Sequence, residues 1–197
     1  MKLIVIRHAL PEAQDRGEAG PADPPLSALG VRQAAATAEL LSTEGVTHVV
    51  TSTMLRAIQT GQPLAYLLGI TPEAIGDLKE SDHQRSTYTP AEELDADHEV
   101  VKEFLADPMA MFSDGYEVFR ERVRSAFDSI IEANRGGTVA VYCHSMVASV
   151  YLQVLLGHDD PFALMADYCG IMRVTASSSG IRTLRSVNET GHLRHLG

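Results

Sequence analysis

Two histidines and two arginines, spread over most of the chain, carry the chemistry that this sequence offers: Arg7 beside His8, then Arg56, then His144. Cleaving a phosphate ester asks for a nucleophile, for positive charge around the transferring oxygens and for a proton on the departing alkoxide. His8, as a neutral imidazole, can be the nucleophile, forming a phosphohistidine that water later opens. The guanidinium forks of Arg7 and Arg56 match phosphate oxygens and stay charged at any working pH. His144, if protonated, adds a third cationic donor, and a helix start after it would aim backbone N–H groups at the same anion. The proton calls for a carboxylic acid that burial or a nearby anion keeps neutral; Glu80, in DLKES, is the candidate, with Asp82 as its backup.

These side chains meet only if the fold brings them to one edge. LIVIRH, residues 3–8, is an apolar run without a turn residue that delivers Arg7 and His8 at its end. HVVTS at 48–52 leads into a helical stretch carrying Arg56, and TVAVYCHS at 138–145 ends on His144 and Ser145. Such runs read as buried parallel strands, whose carboxyl ends are where open α/β sheets place their chemistry. Ser27 is a natural cap for the alanine-rich helix ALGVRQAAATAELL, with an apolar stripe through Leu29, Ala36 and Leu40 and an end at Gly45. MLRAIQTGQPLAYLLG is helical after the second run. YEVFRERVRSAFDSIIEANRGG is helical before the third, with Phe119, Val123, Phe127 and Ile130 on one face and Gly136 as its stop.

Strand, short turn and helix thus repeat, which predicts an α/β fold: a three-layer α/β/α arrangement around a mostly parallel central sheet. The Pro- and Gly-containing residues 11–25 read as a loop covering the catalytic edge. Residues 71–115, with an acidic segment around Glu92 to Glu99, read as a helical excursion over it. Ser145 starts a further helix, and the closing residues form a β-hairpin. A length of 197 residues predicts one domain, residues 1–197.

A hydrophobic fraction of 45% and a charged fraction of 21% suit a folded enzyme rather than a disordered chain. The net charge of −10 argues against nucleic acid as partner, because backbone binders need a basic stripe to displace counterions. A small phosphorylated substrate, or inorganic phosphate, is the expected partner. No stretch reaches the length of a membrane span, and no signal peptide is recognisable, so the expected location is the cytoplasm. Oligomeric state has no signature here. Cys143 and Cys169 lie in apolar company and read as buried thiols. Cys143 does not suggest a cysteine-based phosphatase, since SMVASV supplies no arginine to close the loop. His48, His83, His98, His158, His192 and His195 show no metal spacing and read as surface or structural residues, so no metal and no cofactor is expected. Dinucleotide fingerprints, phosphate loops and Gly-x-Ser-x-Gly elbows do not occur.

In combination, the RH pair, PLSALGVRQA at 25–34, STMLRAIQT at 52–60 and VAVYCHS at 139–145 resemble the histidine phosphatase superfamily, of phosphoglycerate mutase-like fold. DGYEVFRERV and the closing NETGHL add to the likeness, which covers nearly the whole chain. The resemblance implies that His8 is the phosphorylated residue, that Arg7, Arg56 and His144 form the phosphate pocket, and that Glu80 is the acid. It implies a metal-independent phosphatase acting on a small phosphomonoester. Phosphoryl return to the product, as in mutases, and a phosphate-binding regulatory module without turnover are the alternatives. The chain departs from the family pattern at Ala9 and over Leu10, Pro11 and Glu12. Gln14 replaces the usual asparagine and still offers an amide to substrate, and Ser145 replaces a glycine and adds a hydroxyl.

Overall fold

The computed structural model describes residues 1–90 and 93–196. The apolar runs form strands because their side chains alternate between two buried faces. In β1, Lys2–Arg7, Leu3 and Val5 join one core cluster, whereas Ile4 and Ile6 join the other. The strand β6, Thr138–Cys143, divides in the same way, Val139 and Val141 against Ala140 and Tyr142. Both faces therefore need a helical cover.

One cover consists of α1, Ala28–Ser42, and α2, Leu55–Leu68, which enclose Leu41, Leu64 and Ala65 with the second cluster. The other consists of α4, Tyr116–Ala133, and α5, Ser145–Leu156, which bring Phe119, Val123, Phe127, Ile130 and Val147 to the first. The result is a three-layer α/β/α architecture. Ser27 caps α1 as its sequence predicts, its side chain accepting from the Gly30 N–H at 3.0 Å. The buried stripe of α1 is different from the expected one: Gly30, Ala34, Thr37, Ala38 and Leu41 face inward. Small residues win because α1 lies close against the loop after β1, where a Cβ on Gly30 would stand 2.0 Å from the Leu10 carbonyl oxygen. The helix also stops at Ser42, before Gly45, and α4 stops at Ala133, before Gly136.

The central sheet includes β3, His48–Ser52, β4, Glu73–Ile75, β7, Ile171–Ala176, and β8, Arg182–Glu189, in the order β4-β3-β6-β1-β7-β8. The first four strands are mutually parallel; β7 and β8 form the expected hairpin, in which β7 alone runs antiparallel to the rest and β8 returns in the direction of the parallel strands. Register then decides the site. Arg7 pairs with Cys143 and Thr51 with Tyr142, so β1, β6 and β3 end side by side and release His8, His144 and Ser52 at one edge.

Residues 71–115 are mixed rather than helical. They contribute β4 to the sheet, then a two-residue strand β5, Thr87–Tyr88, and the helix α3, Glu99–Ala106. Within the expected acidic segment, Glu92 falls outside the described residues. The loop at 11–25 is likewise partly ordered into β2, Gln14–Asp15, which pairs with β5 antiparallel and ties the two segments together across the edge. Among the described residues no helix is long and apolar enough to cross a membrane.

Candidate active site

The structure brings His8, Arg7, Arg56, His144 and Glu80 together. The two imidazole rings lie 5.1 Å apart, centroid to centroid, both buried. His8 turns its Nδ1–H to the carbonyl of Ala9 at 2.8 Å, and because a carbonyl only accepts, the proton sits on Nδ1. The lone pair is then on Nε2, where the Nε–H of Arg56 donates to it at 3.2 Å. Burial, followed by the charges of Arg56 and Arg7, holds the His8 pKa well below the usual histidine value. The ring is neutral, with its nucleophilic nitrogen turned toward the cationic group.

The chain segment after His8 is held from two sides. The Ala9 N–H donates to Thr60 Oγ1 at 3.0 Å, and the Thr60 hydroxyl donates to the Arg56 carbonyl at 2.6 Å, so one side chain links the nucleophile's loop to the helix that carries Arg56. The Cys169 N–H donates to the carbonyls of Arg7 and His8 at 3.1 and 3.3 Å.

Arg56 is fully buried, yet its Nη1 and Nη2 have no hydrogen-bond partner. The nearest carboxylate, that of Asp23, stands 3.9 Å from Nη1 and spends the same oxygen on the Leu55 N–H. Two forked donors left unpaired at full burial are costly, and they mark the place of an anion. Arg7 donates through Nη1 to the Ala166 carbonyl at 2.6 Å and lies 3.8 Å over the ring of Tyr168. Tyr88 covers Arg56 at 4.9 Å, and the two tyrosine hydroxyls are 3.3 Å apart. Burial holds the Tyr88 phenol protonated far above its ordinary range.

His144 departs from expectation. Burial, then Arg56, His8 and Arg7, pull its pKa well below the usual value, so the imidazole is neutral and not a third cation. Its Nε2 lies 2.9 Å from the Ser52 hydroxyl, and its Nδ1 is buried without a partner. At the α5 N-terminus the Met146 N–H donates to Glu80 Oε2 at 3.1 Å. The Ser81 N–H donates to Oε1 at 2.9 Å. Even so, burial first and the Asp82 carboxylate second push Glu80 up to about 7. Asp82 itself is partly exposed. The main chain leading to Glu80 is clamped by Arg122, which donates through Nη1 to the carbonyls of Asp77 and Lys79 at 2.7 and 3.0 Å.

Ser145 is buried with its hydroxyl unpaired, next to His144. Gln14 lies on β2 opposite Tyr88, with its side-chain oxygen accepting from the Asp23 N–H at 2.7 Å. Glu12 is solvent-exposed. Cys143 is buried, and burial drives its thiol pKa far up, which leaves it protonated and inert. Among the described residues no three His, Cys, Asp or Glu side chains gather as a metal site requires.

Tyr88, Tyr168, Asp23 and Arg122 escaped the reading of the sequence. Tyr168 arrives because β7 runs antiparallel to β1, with Ile171 opposite Ile6, so the segment entering β7 crosses the edge where the parallel strands leave. Tyr88 arrives through the β2–β5 pair. Neither has a local signal. Ser52 and Thr60 lie inside STMLRAIQT, Ser52 at the end of β3 and Thr60 one helical turn after Arg56, and these hydroxyls were the signal available.

Comparison with known proteins gives the family and the fold. Residues 3–190 match the histidine phosphatase superfamily (branch 1). A bifunctional protein of Mycobacterium tuberculosis is 30% identical over 200 residues, a match covering 98% of this chain and 55% of that protein. The chain thus spans about half the length of the first curated relatives it matches. A Yersinia enterocolitica protein named "Probable phosphoglycerate mutase GpmB" is 28% identical over 185 residues, 88% of this chain and 86% of that one. Among solved structures, phosphoserine phosphatase of Entamoeba histolytica in complex with 3-phosphoglyceric acid aligns with a TM-score of 0.76 at 23% identity, covering 98% of both chains. A mycobacterial glucosyl-3-phosphoglycerate phosphatase complexed with VO3 aligns with a TM-score of 0.74 at 19% identity, over 96% of this chain and 99% of that one. At those identities the likeness is one of fold.

Proposed function

Because the chain belongs to the histidine phosphatase superfamily, we propose that it is a phosphatase that hydrolyses a small phosphomonoester, without a metal, through a phosphohistidine on His8. The observation that carries this reading is the fully buried Arg56, whose two unpaired Nη groups adjoin the lone pair of His8 Nε2. A tetrahedral oxyanion placed there satisfies the fork and presents its phosphorus to the nucleophile.

In the first step His8 Nε2 attacks phosphorus, the bond to the leaving oxygen breaks, and that oxygen takes the proton of Glu80. Arg56 and Arg7 hold the equatorial oxygens. The Ser52 hydroxyl lies 2.9 Å from His144 Nε2, and with that hydroxyl as the donor the unpaired Nδ1 carries the proton and serves phosphate as a neutral donor. Gln14 and Ser145 supply further donors around the ester. In the second step water attacks phosphorus, the N–P bond breaks, and the Glu80 carboxylate receives the water proton, which restores the acid. Solved relatives complexed with phosphoserine or 3-phosphoglyceric acid support a small phosphorylated substrate for this chain as well. A reducing cytoplasm suits the two free thiols, Cys143 and Cys169.

The test is release of inorganic phosphate from a panel of phosphomonoesters with chelator present, beside trapping of radiolabelled phosphate on the protein. His8→Ala is expected to remove both the turnover and the label while the fold survives. Turnover retained in that variant refutes the reading, and transfer of the label to a second alcohol in preference to water points to a mutase instead.

A further inference from the structure

Beside the phosphate pocket lies a cavity of about 270 Å³, which shares Tyr88, Asp82 and Met146 with the site just described. Tyr88 is the ring over Arg56, and Met146 is the residue whose N–H holds Glu80. The cavity therefore adjoins the position where the leaving group of a phosphate ester must go.

Apolar side chains form much of the remaining wall: Val100, Val101 and Phe104 from α3, together with Met111, Phe162 and Met165. Phe104 stands edge-on to Phe162 at 5.3 Å. The helix α3 has no buried residue, although it is amphipathic and turns its apolar side to this space. An apolar helix face on a cavity it does not fill is the surface that an apolar ligand would cover. Charge points the same way. Three carboxylates, Asp82, Glu103 and Asp107, line the cavity against one guanidinium, that of Arg85, and Arg85 is already paired with Glu103 at 2.9 Å. Nothing among these groups is free to receive an anionic leaving group.

We propose that this cavity is the leaving-group subsite and that it selects phosphomonoesters of uncharged, apolar alcohols, aryl or branched alkyl, over those bearing a carboxylate. The volume accommodates one or two rings, since a cavity of roughly 150 Å³ takes benzene. The inference deepens the phosphatase reading and rests on it for the location of the phosphate, so its test is binding rather than turnover.

Calorimetry on the wild-type protein compares 1-naphthylmethylphosphonate with the phosphonate analogue of phosphoserine and with phosphocholine. Naphthyl binding at least ten times tighter than either is expected. Val101→Asp is expected to erase that preference at an unchanged melting temperature, because α3 carries no buried side chain whose loss would unfold the protein. Equal or weaker naphthyl binding, tighter phosphocholine binding, or a preference that survives Val101→Asp overturns the proposal. A protein that binds the naphthyl compound as expected but hydrolyses no ester would fail the phosphatase reading and leave this subsite standing.

Discussion

Replacing Glu80 by Gln removes the acid of the first step and the base of the second, and the loss in the first, read from kcat/KM, can be worked out in advance. The carboxyl is held at about 7 rather than 4.5, mainly by burial. At pH 7 about half of the molecules then carry the acid, against well under about 1% for an ordinary carboxylate, a bias worth about 3 kcal/mol. The sign follows from the role. The proton is present below pH 7 and lost above it, so kcat/KM should fall as pH rises through about 7. With substrate bound, the phosphate dianion raises the acid further, and the descending limb of kcat should lie at higher pH than that of kcat/KM. Glu80→Gln should lower kcat/KM for an alkyl phosphate by about 10²–10⁴-fold, the usual worth of general acid catalysis. For 4-nitrophenyl phosphate, whose phenolate leaves without a proton, the loss in kcat/KM should be below about tenfold. The assay is phosphate release from both esters between pH 5 and 9, with kcat/KM as the readout because it ends at the phosphohistidine. Equal losses of kcat/KM on the two esters, or a limb near pH 7 that persists in Glu80→Gln, would refute the reasoning and direct attention to Asp82.

Arg56→Met should abolish activity yet raise the melting temperature in phosphate-free buffer by a few degrees, about 1–2 kcal/mol, because it removes a buried charge with unpaired donors. A lower melting temperature contradicts that account. Gly30→Ala places a methyl against the Leu10 carbonyl, and a destabilisation of about 1–3 kcal/mol, accompanied by reduced kcat, should be visible by denaturant titration and steady-state assay. Cys143, next to His144, should resist iodoacetamide in the native protein with activity unchanged, which mass spectrometry after labelling checks directly.

Much of the fold was legible because short, β-branched apolar runs favour strands buried on both faces, and three such runs each led to a chemical residue. β1, β3 and β6 stand where their patterns placed them. So does the capped start of α1. Between residues 71 and 115 the pattern was weak, because β4 and β5 are only three and two residues long and α3 buries nothing, so periodicity had no core to report. The stripe on α1 was misread for a related reason: the inner face uses Gly30, Ala34 and Ala38, which close approach favours and hydrophobicity does not mark.

The nature of the reactive groups, the right number of guanidiniums and imidazoles, and their positions at strand ends are properties of the chain read in order, since side-chain chemistry and strand periodicity are local. Their protonation states are not. His144 reads as a plausible cation in one dimension and is neutral in three, because desolvation and the charges of Arg56, His8 and Arg7 act through space. Glu80 keeps its proton for the same reason. Only the packed structure sets burial and neighbours, and those that matter here come from far along the chain: the sheet register and the β2–β5 pair carry Tyr168 and Tyr88 to the edge, and α4 carries Arg122 to the segment before Glu80.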